Sequence, residues 1–109
     1  MVPQLFNTPK NDHEWNLFSF ANKASHTKIV QAISQKKLGT LREYNLDPIN
    51  KEDVAGWAYR HQQAHNEFNA ALKLQSNDLY TADFSDPKQL SAWIAIHARE
   101  HLLAEKALA

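Results

Sequence analysis

One pattern is written into this chain three times, and it confines the fold more than any other feature. Phe18-Ser-Phe-Ala-Asn22-Lys-Ala-Ser-His26 aligns with Trp57-Ala-Tyr-Arg-His61-Gln-Gln-Ala-His65 and with Trp93-Ile-Ala-Ile-His97-Ala-Arg-Glu-His101. Each copy reads aromatic, three residues, His or Asn, three residues, His. Apolar residues follow 11 and 15 positions after each aromatic: Ile29 and Ile33, Phe68 and Leu72, Ala104 and Leu108. Steps of three and four put residues on one face of an α-helix. The repeat therefore predicts three long helices carrying an aromatic, two polar and two apolar groups in the same order along one stripe.

The starts of the copies recur too. Thr8-Pro9, Asp47-Pro48 and Asp86-Pro87 are each 39 residues apart. A side-chain acceptor followed by proline is the chemistry of an N-cap with proline at the first helical position, where its missing N–H costs nothing. Gln89, three residues after Asp86, could close a capping box. Helices are expected over about Asn11 to Lys36, Lys51 to Lys73 and Pro87 to Leu108, within repeats of about 8–37, 47–74 and 86–109. Lys36, Lys37 and Gly39 make the first stop, with cations near the negative end of the helix dipole.

The linkers, Leu38 to Asn50 and Leu74 to Asp86, hold Leu41, Tyr44, Leu46 and Ile49 in one and Leu79, Tyr80 and Phe84 in the other. Such linkers should pack on the helices. Each could reach roughly 43 Å when extended, more than the roughly 36 Å of a helix of about 24 residues. A linker can therefore run back along its helix and set all three helices parallel, although an antiparallel arrangement is equally open. The apolar N-terminal arm, Met1 to Phe6, is expected to cover the end of its own bundle. The expected fold is all-α: a single domain over residues 1–109, a three-helix bundle made of a threefold internal helix-plus-linker repeat.

Composition narrows the function. Twelve Lys and Arg balance twelve Asp and Glu, so no broad field draws in nucleic acid or an anionic membrane. The absence of cysteine removes disulfides, thiolate metal sites and cysteine nucleophiles together. No apolar run approaches the roughly 18 residues of a membrane span, and Met1 to Lys10 lacks the basic-then-apolar order of a secretion signal. Two glycines, Gly39 and Gly56, argue against a sheet rich in tight turns.

Six histidines in 109 residues carry what chemistry there is. In a parallel bundle the stripe would form two layers, Asn22 with His61 and His97, then His26 with His65 and His101. One reading is a metal centre, with His26, His61, His65, His97 and His101 as ligands to zinc or another divalent transition metal, since histidines four apart chelate from one helix face. The other, which the sequence favours, is a buried hydrogen-bonded core stripe that includes Asn22 and holds no cofactor. No Glu-x-x-His appears, so the di-iron bundle pattern is missing. His97-Ala-Arg-Glu100-His101 matches the His-x-x-Glu-His of one zinc-peptidase class. The other two copies lack the Glu, and Glu100 is expected as a solvated or ion-paired surface residue. Ser25 beside His26 makes no triad. Asp78 and Asp83 lack the spacing of a calcium loop and suit turns instead. His13 stands outside the repeat and is expected to be exposed. No catalytic residue is assigned.

Trp15-Asn-Leu-Phe-Ser-Phe, Asp47-Pro48 leading to Gly56-Trp57, and Asn77-Asp78-Leu79 before Asp86-Pro87 together resemble a group of small proteins that tailed bacteriophages encode among their virion structural genes. The resemblance spans nearly the whole chain. It implies a non-enzymatic structural component of the virion, at the capsid or the head–tail connection, made in the host cytoplasm. Such a protein would work in multiple copies through contacts with other virion proteins, with no nucleic acid and no membrane as partner. The group carries His-x-x-x-His in its first copy; Asn22 stands here in place of the first His, which breaks a strict six-histidine set.

Overall fold

Among the described residues the chain forms three helices, α1 (Asp12–Gln35), α2 (Val54–Leu72) and α3 (Pro87–Leu108), which all pack against one another. The computed structural model describes residues 8–46, 49 and 53–109, and among these there is no strand. The apolar arm and the Asp47-Pro48 cap both lie outside the described residues.

The starts differ from the repeated cap in one case and match it in another. α1 is capped by Asn11, not Thr8. Asn11 Oδ1 accepts from Glu14 N–H at 2.9 Å, and the Glu14 carboxylate reaches back to the N–H of Lys10 at 3.3 Å. This reciprocal pair, three residues downstream of Thr8, satisfies donors that Thr8 would otherwise have to reach. α3 does start at Pro87, with Asp86 Oδ1 accepting from Lys88 N–H at 3.0 Å. The box expected from Gln89 is not closed. Its amide instead donates to Asp86 Oδ2 at 3.1 Å and accepts from Asp83 N–H at 2.9 Å. Asp53 precedes α2 without a side-chain cap bond and holds Arg60 at 3.3 Å.

The ends of α1 and α2 share one device. Leu38 N–H donates to Ile33 O at 3.0 Å and Lys37 N–H to Ser34 O at 3.0 Å; Leu74 N–H donates to Asn69 O at 2.8 Å and Lys73 N–H to Ala70 O at 3.2 Å. This is the paired Schellman closure, which needs a left-handed residue. Lysine supplies it both times, Lys37 at φ 57° and Lys73 at φ 59°. The first stop is thus Lys37, not Gly39.

The linkers decide the topology. From Arg42 to Asn45 the first linker meets Glu67 and then Arg60, running backward along α2: Arg42 N–H donates to Glu67 at 3.2 Å, the Tyr44 hydroxyl donates to Glu67, and Arg60 donates to Asn45 O at 2.9 Å. It ends near the start of α1, where Ile49 N–H reaches Ser19 Oγ at 3.3 Å. The second linker does the same. Ser76 meets Asn69, Asn77 and Leu79 meet Gln62, and Tyr80 meets Tyr59. Each helix therefore begins at the same end as the last, and the three are parallel.

Parallel helices in register stack like with like. At one end Phe18, Trp57 and Trp93 gather with Ala58, Leu79, Leu90 and Ile94. At the other, Ile29, Ile33, Phe68 and Ala104 form a second apolar cluster, each no more than 1 % exposed. Burying side chains of this size stabilises by about 1.5–3 kcal/mol each. Between the two clusters lies a slab of polar side chains, and that slab is the site.

Candidate metal centre

Asn22 and the five repeat histidines converge between the apolar clusters. His61, His65, His97 and His101 are fully buried, and His26 is 5 % exposed. One ligating atom from each of the five histidines lies within 4.8 Å of every other. The expected layers are present: Asn22 contacts His61 and His97, and His26 has ring contacts with His65 and His101. The layers also touch, since His61 Nε2 lies 3.0 Å from His65 Nε2 and 3.1 Å from His97 Nε2. His13 is exposed and apart, as expected.

Aromatic rings hold the upper layer in place. Trp57 stacks on His61 with centroids 4.5 Å apart, and Trp93 on His97 at 4.8 Å. Both stacks follow from aromatic and histidine being four residues apart on one helix. Trp93 is itself fixed by its indole N–H to Leu79 O at 2.9 Å.

Glu100 corrects the sequence expectation. It is 2 % exposed and takes part in the cluster. Its Oε1 accepts from His65 Nδ1 at 3.0 Å and Asn69 Nδ2 at 2.7 Å. Its Oε2 accepts from the N–H and the side-chain amide of Asn77 at 3.0 and 3.1 Å. Glu100 stands three residues after His97 and four before Ala104, on the buried face of α3, and the second linker brings the Asn77 donors that let a carboxylate sit there. Asn69 was overlooked as well, although it continues the Trp57, His61, His65 series by four. Ser25 has a partner, but a distant one: its hydroxyl is 2.7 Å from His101 Nδ1. Asp78 and Asp83 act as turn residues, accepting from Tyr80 N–H at 2.8 Å and Ser85 N–H at 2.9 Å.

Burial sets the charge state. It pushes His26, His61, His97 and His101 well below the ordinary imidazole range, and the neighbouring histidines push the same way. His65 is also lowered by burial, against an upward pull from Glu100. Burial pushes the Glu100 carboxyl up, but hydrogen bonds and charge from His65, Asn77 and Asn69 outweigh it and leave it below its usual range. The cluster is thus five neutral imidazoles beside one carboxylate.

Neutral imidazoles cannot make both close contacts of His61 Nε2 into hydrogen bonds at once. His61 Nε2 has one proton or one lone pair, yet it faces two imidazole nitrogens at hydrogen-bond distance. Among the described residues, His26 Nε2, His61 Nδ1, Asn22 Nδ2 and Trp57 Nε1 are buried with no hydrogen-bond partner. Each such group costs about 1–3 kcal/mol.

A divalent ion changes the balance by accepting several lone pairs at once. Around zinc with Zn–N of about 2.0–2.1 Å, tetrahedral ligand nitrogens stand roughly 3.3–3.4 Å apart. The Nε2 separations of 3.0 and 3.1 Å are close to that edge. With His65 Nδ1–H given to Glu100, its Nε2 lone pair is free for an ion, which is the carboxylate–histidine–metal relay of metal proteins. Ser25 can accept from His101 Nδ1–H and do the same there. Comparison with protein-family models, curated proteins and solved structures finds no significant match, so the functional reading rests on this geometry.

Proposed function

We propose that this chain is a metal-binding helical domain that holds a divalent transition ion, zinc foremost, in the centre of its bundle. His61, His65 and His97 supply Nε2 ligands, and His26 or His101 supplies the fourth. The observation that carries this reading is His61 Nε2 at 3.0 and 3.1 Å from two further imidazole nitrogens. Imidazole-only sites suit zinc, copper, nickel and cobalt, and exclude calcium and magnesium, which take oxygen. Glu100 is the positioning partner of His65. Both its oxygens are engaged by hydrogen bonds, which speaks against a base of the peptidase type and supports a non-enzymatic role.

The test is elemental analysis of the untagged chain, followed by melting with and without chelator. An ion near one per chain is expected. At a hundredfold excess of ion over Kd, binding adds about 2.7 kcal/mol, which raises Tm by roughly 10 °C or more in a domain this size. No ion retained after incubation with zinc, together with identical melts, would refute the reading.

The virion role concerns the outer faces and is compatible with a metal inside. It is supported by Leu17 and Phe20, neighbours on the outside of α1 that are 55 % and 61 % exposed. Mass spectrometry of purified source-phage particles tests it, and absence of the chain from them overturns it. No helix among the described residues is long and apolar enough to cross a membrane.

A further inference from the structure

The ligand set is neutral. Five imidazoles bring no charge, and the nearest carboxylate, Glu100, stands behind His65. A divalent ion bound there is only partly compensated by that carboxylate. Uncompensated charge in a protein interior is strongly disfavoured, so the ion calls for an anion of its own.

A cavity reaches one edge of the cluster. A cavity of about 200 Å³ lies between α1, the first linker and α2. Thr27, Leu46 and Ala64 are part of its walls, and His26 is the one histidine of the five that lines it. His26 is also the one with measurable exposure, and its Nε2 has no hydrogen-bond partner among the described residues. The exposed Lys23 and Arg42 line the cavity with a single acidic residue, Glu43. A water takes about 30 Å³ of liquid, so the space admits an anion of a few atoms with its hydration.

We propose that the ion in this centre carries a small exogenous monoanion, hydroxide or one of the size of azide or formate, admitted through this cavity past His26. This rests on the metal-binding reading, and the experiment separates the two. The full chain is loaded with cobalt(II), a spectroscopic stand-in for zinc, and its cobalt content is measured first. No bound cobalt overturns the metal reading itself. With cobalt bound, azide is titrated while the visible ligand-field bands are followed. A saturable change in the bands is expected. A spectrum that azide leaves untouched overturns the exogenous ligand and makes the centre closed. The route is tested with Ala64→Phe, which fills the cavity, and with Thr27→Tyr on another wall in case the first fails to fold. The expected result is unchanged cobalt content and several-fold slower azide binding. A rate equal to the parent chain's overturns the cavity as the way in.

Discussion

Acid should destabilise the metal-free chain steeply, and the magnitude follows from the cluster. His26, His61, His97 and His101 lie well below the ordinary imidazole pKa because burial and neighbouring histidines disfavour their charged forms. In the unfolded chain each titrates near 6.5. A group whose folded pKa is depressed contributes full stability above its unfolded pKa and loses it as pH falls. Between about pH 7.5 and 5.5 each unfolded imidazole gains about 1.4 kcal/mol from protonation that its folded counterpart does not share. Four together remove about 5.5 kcal/mol. His65 adds less, because Glu100 opposes its shift. A domain of 109 residues has about 5–16 kcal/mol in all, so between about a third and all of its stability goes within those two units. The assay is urea unfolding in chelator, followed by far-ultraviolet circular dichroism at steps across that range. The midpoint should fall continuously below about pH 6.5. A midpoint that stays flat to about pH 5.5 would mean the imidazoles already protonate in the fold, and the dry-cluster argument would be wrong. With zinc present the curve should start higher and converge on the metal-free one in acid, because protons and ion compete for the same nitrogens.

Three further outcomes are expected. Glu100→Gln keeps an acceptor but loses the charge behind His65, and should weaken zinc binding by about 10- to 100-fold, read by competition with a chelating dye; unchanged affinity would remove Glu100 from the site. Lys37→Gly and Lys73→Gly each relieve a left-handed backbone at φ 57° and 59°, and should each raise stability by about 0.5–1 kcal/mol in urea unfolding; a loss would mean the lysine side chains matter more than their backbone. Asn11→Ala should cost about 1 kcal/mol, while Thr8→Ala stays within about 0.5 kcal/mol; the reverse order in thermal melts would restore Thr8 as the cap.

The sequence carried the bundle and its histidines because both depend on local periodicity. Aromatic, polar and apolar positions four, eight, eleven and fifteen residues along each helix leave few other folds. Helix direction was not legible, since linkers of that length permit either sense; what decides it is the backward run of Arg42 to Asn45 past Glu67 and Arg60. Glu100 was misjudged for a related reason. It stands three residues after His97 and four before Ala104, on the buried face, but a carboxylate there needs donors, and these, Asn77 and Asn69, come from the second linker and from α2. Ser25 likewise bonds not to adjacent His26 but to His101, 76 residues away. The cap at Asn11 was hidden because Thr8-Pro9 fitted the 39-residue spacing, and Glu14 was not weighed as a partner. Contacts between elements, not within them, account for most of what was missed.

The parallel arrangement also governs how the chain finds its fold. In an ordinary helical bundle, neighbouring helices meet through a short turn and can zip together early. Among the described residues no such hairpin exists. Asn22 meets His61 across 39 residues, His61 meets His97 across 36, and His97 meets Asn22 across 75. These core pairings close loops of tens of residues, and the linker contacts 14 and 15 residues apart, Leu79 O with Trp93 and Asn45 O with Arg60, can form ahead of them. A chain made of helices thus places its core pairings at sequence distances more usual in sheets, and it should refold more slowly than a bundle whose helices meet through short turns.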